Sequence, residues 1–360
     1  MEPVTHMLTG ACLSRAGLNK KAAYATLAMT VAAEFPDIDT LWSLDGPVAG
    51  FQHHRGITHT FLAVPFEAAL IVGLVWGWHR FRVKRGKAET AAPVNWWMLW
   101  VASLIGLLSH LLLDYTNNYG LRPFFPFNPR WYAGSIVFIF EPVIFVLLVG
   151  ALVMPVLFGL IGSEVGAQKP KFRGQGWALA ALLGIAGIWT WRVVEQQKAI
   201  SLAAQMDLST AAPEGSGAVT VGRISASPYP INPYKWHMVV ETQGFTQIAT
   251  ANTLTGTIET VPGDVFFLPP TTVQTLAAKR SRLGQAYLDW SQFPVVTDIS
   301  GASVDPDDPK AVWAVTFKDL RFMYDVAILK GRTKPPLSGE VVLDGDRKVV
   351  RMEMDGRVDH

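Results

Sequence analysis

The chain has 360 residues, half of them hydrophobic and only 17% charged, with a formal net charge of +2. Soluble proteins carry roughly 25% charge, so this composition excludes a disordered chain and argues against a wholly soluble one. It supplies no basic field for nucleic acid. The single cysteine, Cys12, excludes an intramolecular disulfide framework and a cysteine-based zinc ribbon. Any metal must therefore be held by histidines and carboxylates.

In chain order, Thr5–Ala16 and Ala22–Glu34 are rich in Ala, Met and Leu and read as a helical hairpin packed on a membrane bundle. No positive segment precedes an apolar core, so a cleavable signal peptide is not expected. Four apolar runs follow: Phe61–His79, Trp96–Leu113, Ile136–Ile161 and Gly176–Trp191. A bilayer core needs about 20 apolar residues as helix, and each run is read as a transmembrane span. The texture then changes. The expected division is a membrane domain over residues 1–200, a linker over 201–216 with Ser209–Gly217 as its Gly/Pro-containing part, and a mainly-β domain over 217–360. Strands are expected at Val219–Ile224, Trp236–Thr242, Thr246–Ala251, Val312–Phe317, Met323–Ile328, Glu340–Leu343 and Val349–Met354, separated by Gly, Pro and Asp. The fold class is thus an α-helical polytopic membrane bundle followed by a soluble mainly-β domain.

Lys and Arg concentrate in three connections: Arg15, Lys20 and Lys21; Arg80, Arg82, Lys84, Arg85 and Lys87; and Lys169, Lys171 and Arg173. The positive-inside rule puts these in the cytoplasm. The segments 36–56 and 116–134, and everything after Trp191, then face outward.

The ionisable residues near the spans gather at the outer ends. His6 starts the first helix, and Glu34, Asp37 and Asp39 end the second. His53, His54, Arg55 and His59 surround the start of the third, with Thr58 as its expected N-cap. His110 and Asp114, four apart on one helical face, end the fourth, and Glu141 begins the fifth. Asp37 and Asp39 are expected to point the same way from an extended segment. Imidazole with carboxylate suits Zn²⁺, Mn²⁺ or Fe. His6, Asp37, Asp39, His54, His59, His110 and Asp114 make seven candidate ligands, enough for one or two ions. Arg55 either neutralises Asp37 or Asp39 or clamps a substrate phosphate. Glu141 is either a proton-transfer or supporting residue or an interfacial one, Glu67 is read as a helix–helix hydrogen-bonding residue, and His53 as a solvated neighbour.

The stretches Glu34-Phe-Pro-Asp-Ile-Asp39, His54-Arg-Gly-Ile-Thr-His59 and His110-Leu-Leu-Leu-Asp114 resemble the bacterial membrane-bound metal-dependent hydrolases, the LexA-regulated inner-membrane family. Their layout is similar to that of zinc-dependent phospholipase C. Tyr115–Gly120 and Pro126-Phe-Asn128 are similar to that family's outer loop. The resemblance covers residues 1–200, with Thr60 where Ser is expected, and implies that the seven candidate ligands are the metal-binding positions.

The expectation is a multi-pass protein of the bacterial cytoplasmic membrane. It would hydrolyse an ester or phosphoester, lipid-linked or not, at the outer face with one or two divalent ions, Zn²⁺ or Mn²⁺. Asp37, or Asp39 if Asp37 is purely a ligand, would act as general base, and Arg55 would hold an anionic group. The alternative is a non-hydrolytic metal-binding protein or transporter. No protein partner is legible.

Overall fold

In a computed structural model the described residues are 1–87, 89–164, 174–212, 219–300, 310–324 and 334–359. They form two compact units, one of Met1–Asp39 and Arg55–Val194, the other of Thr40–His54 and Glu195–His360.

The first unit is helical: α1 (Pro3–Arg15), α2 (Ala25–Ala32), α4 (Val64–Lys84), α5 (Trp96–Thr116), α6 (Pro142–Glu164) and the larger part of α7 (Gln175–Ala204). Glu2 caps α1 by accepting from the Val4 and Thr5 amides, and Asn95 caps α5 by accepting from Met98. Small residues let α1, α2 and α5 approach closely. A Cβ on Gly10 would lie 2.8 Å from the Ala33 Cβ, and one on Gly106 2.8 Å from the Ala32 Cβ. Packing of this kind holds helices together where lipid removes the hydrophobic drive between them. Ala25, Ala28 and Ala32 of α2, Ala68 and Ile71 of α4, and Leu99 and Leu107 of α5 share one core.

Among the described residues, α5, α6 and α7 are long and apolar enough to cross a membrane. Residues 47–84 qualify as a fourth only when the short helices before α4 are counted with it. This corrects the expected four spans to three or four. The helix begins at Val64, not Thr58, so it takes in Arg80, Arg82 and Lys84 and carries Glu67 in its first turn. The chain is nonetheless a multi-pass membrane protein. The basic loop of Lys169, Lys171 and Arg173 lies outside the described residues.

The second unit contains α3 (Pro47–His53), the end of α7 and two antiparallel meanders. One is β1 (Val221–Pro228), β2 (Lys235–Thr242), β3 (Phe245–Asn252) and β4 (Thr257–Phe267). The other is β5 (Pro294–Ser300), β6 (Trp313–Asp319), β7 (Gly339–Leu343), β8 (Val349–Met354) and β9 (Arg357–Asp359). Two helices, α8 (Val273–Lys279) and α9 (Arg282–Trp290), separate the sheets in sequence. The strand expectations hold at β1, β2, β3, β6, β7 and β8. Met323 and Tyr324 are not in a strand, and residues 325–328 of that expected strand lie outside the described residues, as do 213–217 of the linker. Ala199 and Ala203 of α7 pack with Trp236, Met238 and Val240 of β2. Phe51 of α3 stacks on Tyr287 and meets Trp290 edge-on, and the Val48 amide donates to Asp359 Oδ1 at 3.1 Å.

Candidate metal centre

The site is assembled where α1 begins, α2 ends, α4 begins and α5 ends. Asp37 and Asp39 lie in a 3₁₀ stretch (Phe35–Asp45), not in the expected extended segment. The Asp37 amide donates to the Glu34 carbonyl at 3.2 Å, which tightens the chain just after α2. His59 ends a second 3₁₀ turn, Ile57–His59. Thr58 does not cap α4; its hydroxyl donates to Asp39 Oδ2 at 3.2 Å. His110 and Asp114 project from one face of α5, and both are fully buried.

Four side chains bring one donor atom each to a common point: Asp37, His59, His110 and Asp114. His59 Nε2 lies 3.1 Å from His110 Nε2, 3.3 Å from Asp37 Oδ1 and 3.5 Å from Asp114 Oδ2. His110 Nε2 lies 3.6 Å from Asp37 Oδ1 and 3.4 Å from Asp114 Oδ2. A tetrahedral ion with bonds of ~2.0–2.1 Å needs ligand–ligand edges of about 3.3–3.4 Å. The five separations straddle that value.

The surrounding hydrogen bonds fix which atoms face inward. His110 Nδ1 lies 2.8 Å from the Ala33 carbonyl, which can only accept, so the proton is on Nδ1 and the Nε2 lone pair faces the other three donors. His59 Nδ1 lies 3.1 Å from Asp39 Oδ2, which sets the same tautomer. Asp114 Oδ2 is buried and accepts no hydrogen bond. With both rings protonated on Nδ1 alone, two imidazole lone pairs and two carboxylate oxygens would face one another. A cation relieves that repulsion, and this donor set could hold a divalent one.

The other expected site residues fall around this centre. Asp39 Oδ2 accepts from the Arg55 amide at 2.7 Å as well as from Thr58, and it faces His59. Arg55 pairs with neither Asp37 nor Asp39 through its guanidinium. Its Nη2 lies 2.7 Å from Asp114 Oδ1, while Nη1 donates to the Gly120 carbonyl at 2.8 Å and to Asn117 Oδ1 at 3.3 Å. Tyr119 lies beneath the guanidinium, 4.9 Å away. Arg55 is buried and adopts a left-handed backbone conformation, φ 53°. His6 stacks on His110 at 3.9 Å and places Nε2 3.3 Å from Asp114 Oδ1, the carboxylate oxygen other than the Oδ2 that faces His59 and His110. Burial, and after it the neighbouring His110, push His6 down to about 3, so it is neutral at physiological pH. The amino group of Met1 contacts the same Asp114 oxygen.

Glu141 is not brought into the donor group. It forms a buried ion pair with Arg192, 2.8 Å, between the start of α6 and α7. His54 is half-buried at the C-cap of α3 and belongs to the second unit. In that unit His53 stacks on Trp42 at 4.2 Å instead of standing free in solvent. Glu67 is buried, but its Oε2 accepts no hydrogen bond, so the expected interhelical bond is not made through that atom.

Glu34 was not among the expected site residues, although it stands three positions before Asp37. Its Oε2 is buried without a hydrogen-bond partner. Burial and the charge of Asp37 push its carboxyl up to about 8. The signal was present: an acidic residue one turn before a candidate ligand shares its face.

No solved structure matches the chain. A protein of Bacillus subtilis (strain 168), described as "Uncharacterized protein YfhP", is 27% identical over 154 residues, covering 41% of this chain. The match takes in 43% of that relative's length. A family model described as "YdjM inner membrane protein" matches residues 1–199, which includes all the residues of the metal centre and more than half of the chain. The protein belongs to the YdjM inner membrane protein family.

Proposed function

We propose that the chain is a membrane-bound metal-dependent hydrolase that cleaves an ester or phosphoester, carried on a lipid, at the outer face of the cytoplasmic membrane. The observation that carries the reading is the inward-facing set of Asp37, His59, His110 and Asp114, spaced as a zinc ion requires. A divalent ion held there supplies Lewis acidity and acidifies a water molecule. The side chain of Asp37 is 15% exposed while those of His59 and Asp114 are closed to solvent, so substrate and water arrive past Asp37. Asp37 would take a proton from the attacking water, and Glu34, three positions before it with Oε2 buried and without a hydrogen-bond partner, would be the next carboxylate to receive it. Asp39 orients His59. Arg55 holds Asp114 and the loop after α5 through its two terminal nitrogens. The outward orientation rests on the Lys and Arg concentrated in Arg15–Lys21 and Arg80–Lys87.

The test is metal analysis of detergent-purified protein beside hydrolysis of a phosphodiester and a carboxylic ester. The wild type should retain close to one or two equivalents of Zn²⁺ or Mn²⁺ and cleave one class. His110→Ala should lose both metal and cleavage. Folded, metal-replete protein that cleaves neither class and moves the ion across vesicles would replace hydrolysis by transport.

A further inference from the structure

The two faces of α4 differ. Val64, Glu67, Ala68, Ile71 and Val75 are buried against α2 and α5. Phe66, Leu70 and Leu74, spaced by four on the other face, are 70%, 52% and 62% exposed. A stripe of large apolar side chains on a helix that enters a bilayer is covered by lipid chains.

That stripe does not stop where the helix begins. Leu62, four positions before Phe66, and Phe61 are exposed as well, in the short segment that leads into α4. The Phe61 amide donates to the Pro123 carbonyl at 2.9 Å, and its ring meets Phe124 edge-on at 5.4 Å. Phe127, in the same loop, is 84% exposed. Both ends of this patch are tied to the metal centre. Phe61 follows the ligand His59 by two residues, and the Phe124 loop leaves from Gly120, whose carbonyl holds Arg55. An aqueous substrate gives no reason for such a surface beside a buried polar site, because large exposed apolar patches mark a binding or membrane face.

Resting on the hydrolase reading above, we infer that Phe61, Leu62, Phe124 and Phe127 form a dock for the acyl chain of a bilayer lipid. The dock is continuous with the lipid-covered face of α4 and delivers the lipid's headgroup ester to the metal centre from within the membrane. The substrate class is then an intact membrane lipid, not a water-soluble ester.

Two measurements on full-length, Zn²⁺-loaded protein test this. In dioleoylphosphatidylcholine vesicles containing a diazirine-bearing acyl chain, crosslinks should map to residues 61–66 and 124–127 as well as to the outer faces of α5 and α6. Phe127→Ser and Phe124→Ser, both at exposed positions, should lose those crosslinks while keeping metal content. In the second measurement, each substitution should lower kcat/KM on vesicle phosphatidylcholine by about tenfold, a fraction of what one buried Phe contributes. It should leave cleavage of water-soluble p-nitrophenyl phosphorylcholine within about twofold. Crosslinks that spare 61–66 and 124–127, or variants that slow both substrates equally, would overturn the dock. Crosslinks at the dock with cleavage of neither substrate would support it and sink the hydrolase reading instead.

Discussion

His59 and Asp39 face each other through Nδ1 and Oδ2 at 3.1 Å, and that single contact decides which nitrogen of the imidazole is available inside the cluster. Asp39 is itself held by the Arg55 amide and the Thr58 hydroxyl. Asp39→Asn should therefore weaken metal binding by about 10–100-fold, the usual effect of losing such an outer partner. It should do so without removing a donor atom from the cluster. Titration of the metal-free protein with Zn²⁺ against a competing chelator measures this. An unchanged affinity would return Asp39 to a role outside the centre.

Arg55 and Asp114 form a buried ion pair, and removing Arg55 leaves the Asp114 carboxylate with only the Met1 amino group and His6 beside its Oδ1. Arg55→Ala should destabilise the metal-free protein by roughly 3–5 kcal/mol and reduce metal retention. Arg55→Lys should rescue little, because an ammonium cannot reach Asp114, Asn117 and the Gly120 carbonyl at once. Thermal unfolding in detergent gives the readout. The effect of Asp114→Asn added to Arg55→Ala should be far smaller than the sum of the two single changes. A change confined to KM would restore the substrate-clamping role.

Gly106 of α5 approaches α2 so closely that a Cβ there would meet Ala32. Gly106→Leu should push α2 away and stretch the bond from His110 to the Ala33 carbonyl. We expect loss of bound metal with helix content retained, measured by metal analysis and circular dichroism. The same substitution at Gly73, where a Cβ meets nothing within 4 Å, should be tolerated and serves as the control.

In the second unit, His237 is buried on β2, donates to the Leu320 carbonyl at 2.8 Å and lies against Tyr324. Burial pushes its pKa down to about 4. The unfolded chain binds this proton near pH 6.5, so the neutral ring stabilises the fold fully above that value. The contribution disappears as pH falls from about 6.5 towards 4, and it amounts to roughly 3 kcal/mol. Hydrogen exchange of β2 peptides in the full chain should accelerate between pH 7 and pH 4.5 once corrected for intrinsic rates. His237→Gln, which keeps a donor, should flatten that dependence.

Much of the centre was legible because its chemistry is concentrated. His110 and Asp114 stand out as ionisable residues in an otherwise apolar helix, and their spacing alone puts them on one face. The Arg55 role was not legible: its partners are Asp114 and a carbonyl at Gly120, 65 positions away, which only the fold brings near. Glu141 misled for the opposite reason. It sits at the outer end of its span like the candidate donors, but it pairs with Arg192, which lies just past the apolar run that ends at Trp191. In the β-rich unit, β4 was missed because Pro262 and Gly263 interrupt it. It is an edge strand, and the register shift opposite Gln247 and Ala249 absorbs the irregularity. The helices α8 and α9 were missed because each is short. Their capping residues, Thr272 and Ser281, are the local signals that mark their starts.

The close packing of α1, α2 and α5 has a consequence for how metal and protein depend on one another. The Ala33 carbonyl that turns His110 inward is fixed by small-residue contacts that involve no ion. In a zinc finger the free energy of binding is also the free energy of folding. Here the candidate donors are preorganised by helix packing, so an ion would bind to a frame already standing. Stripping it with a chelator should leave a folded protein that reloads without refolding, and occupancy can follow the free-ion concentration around the membrane.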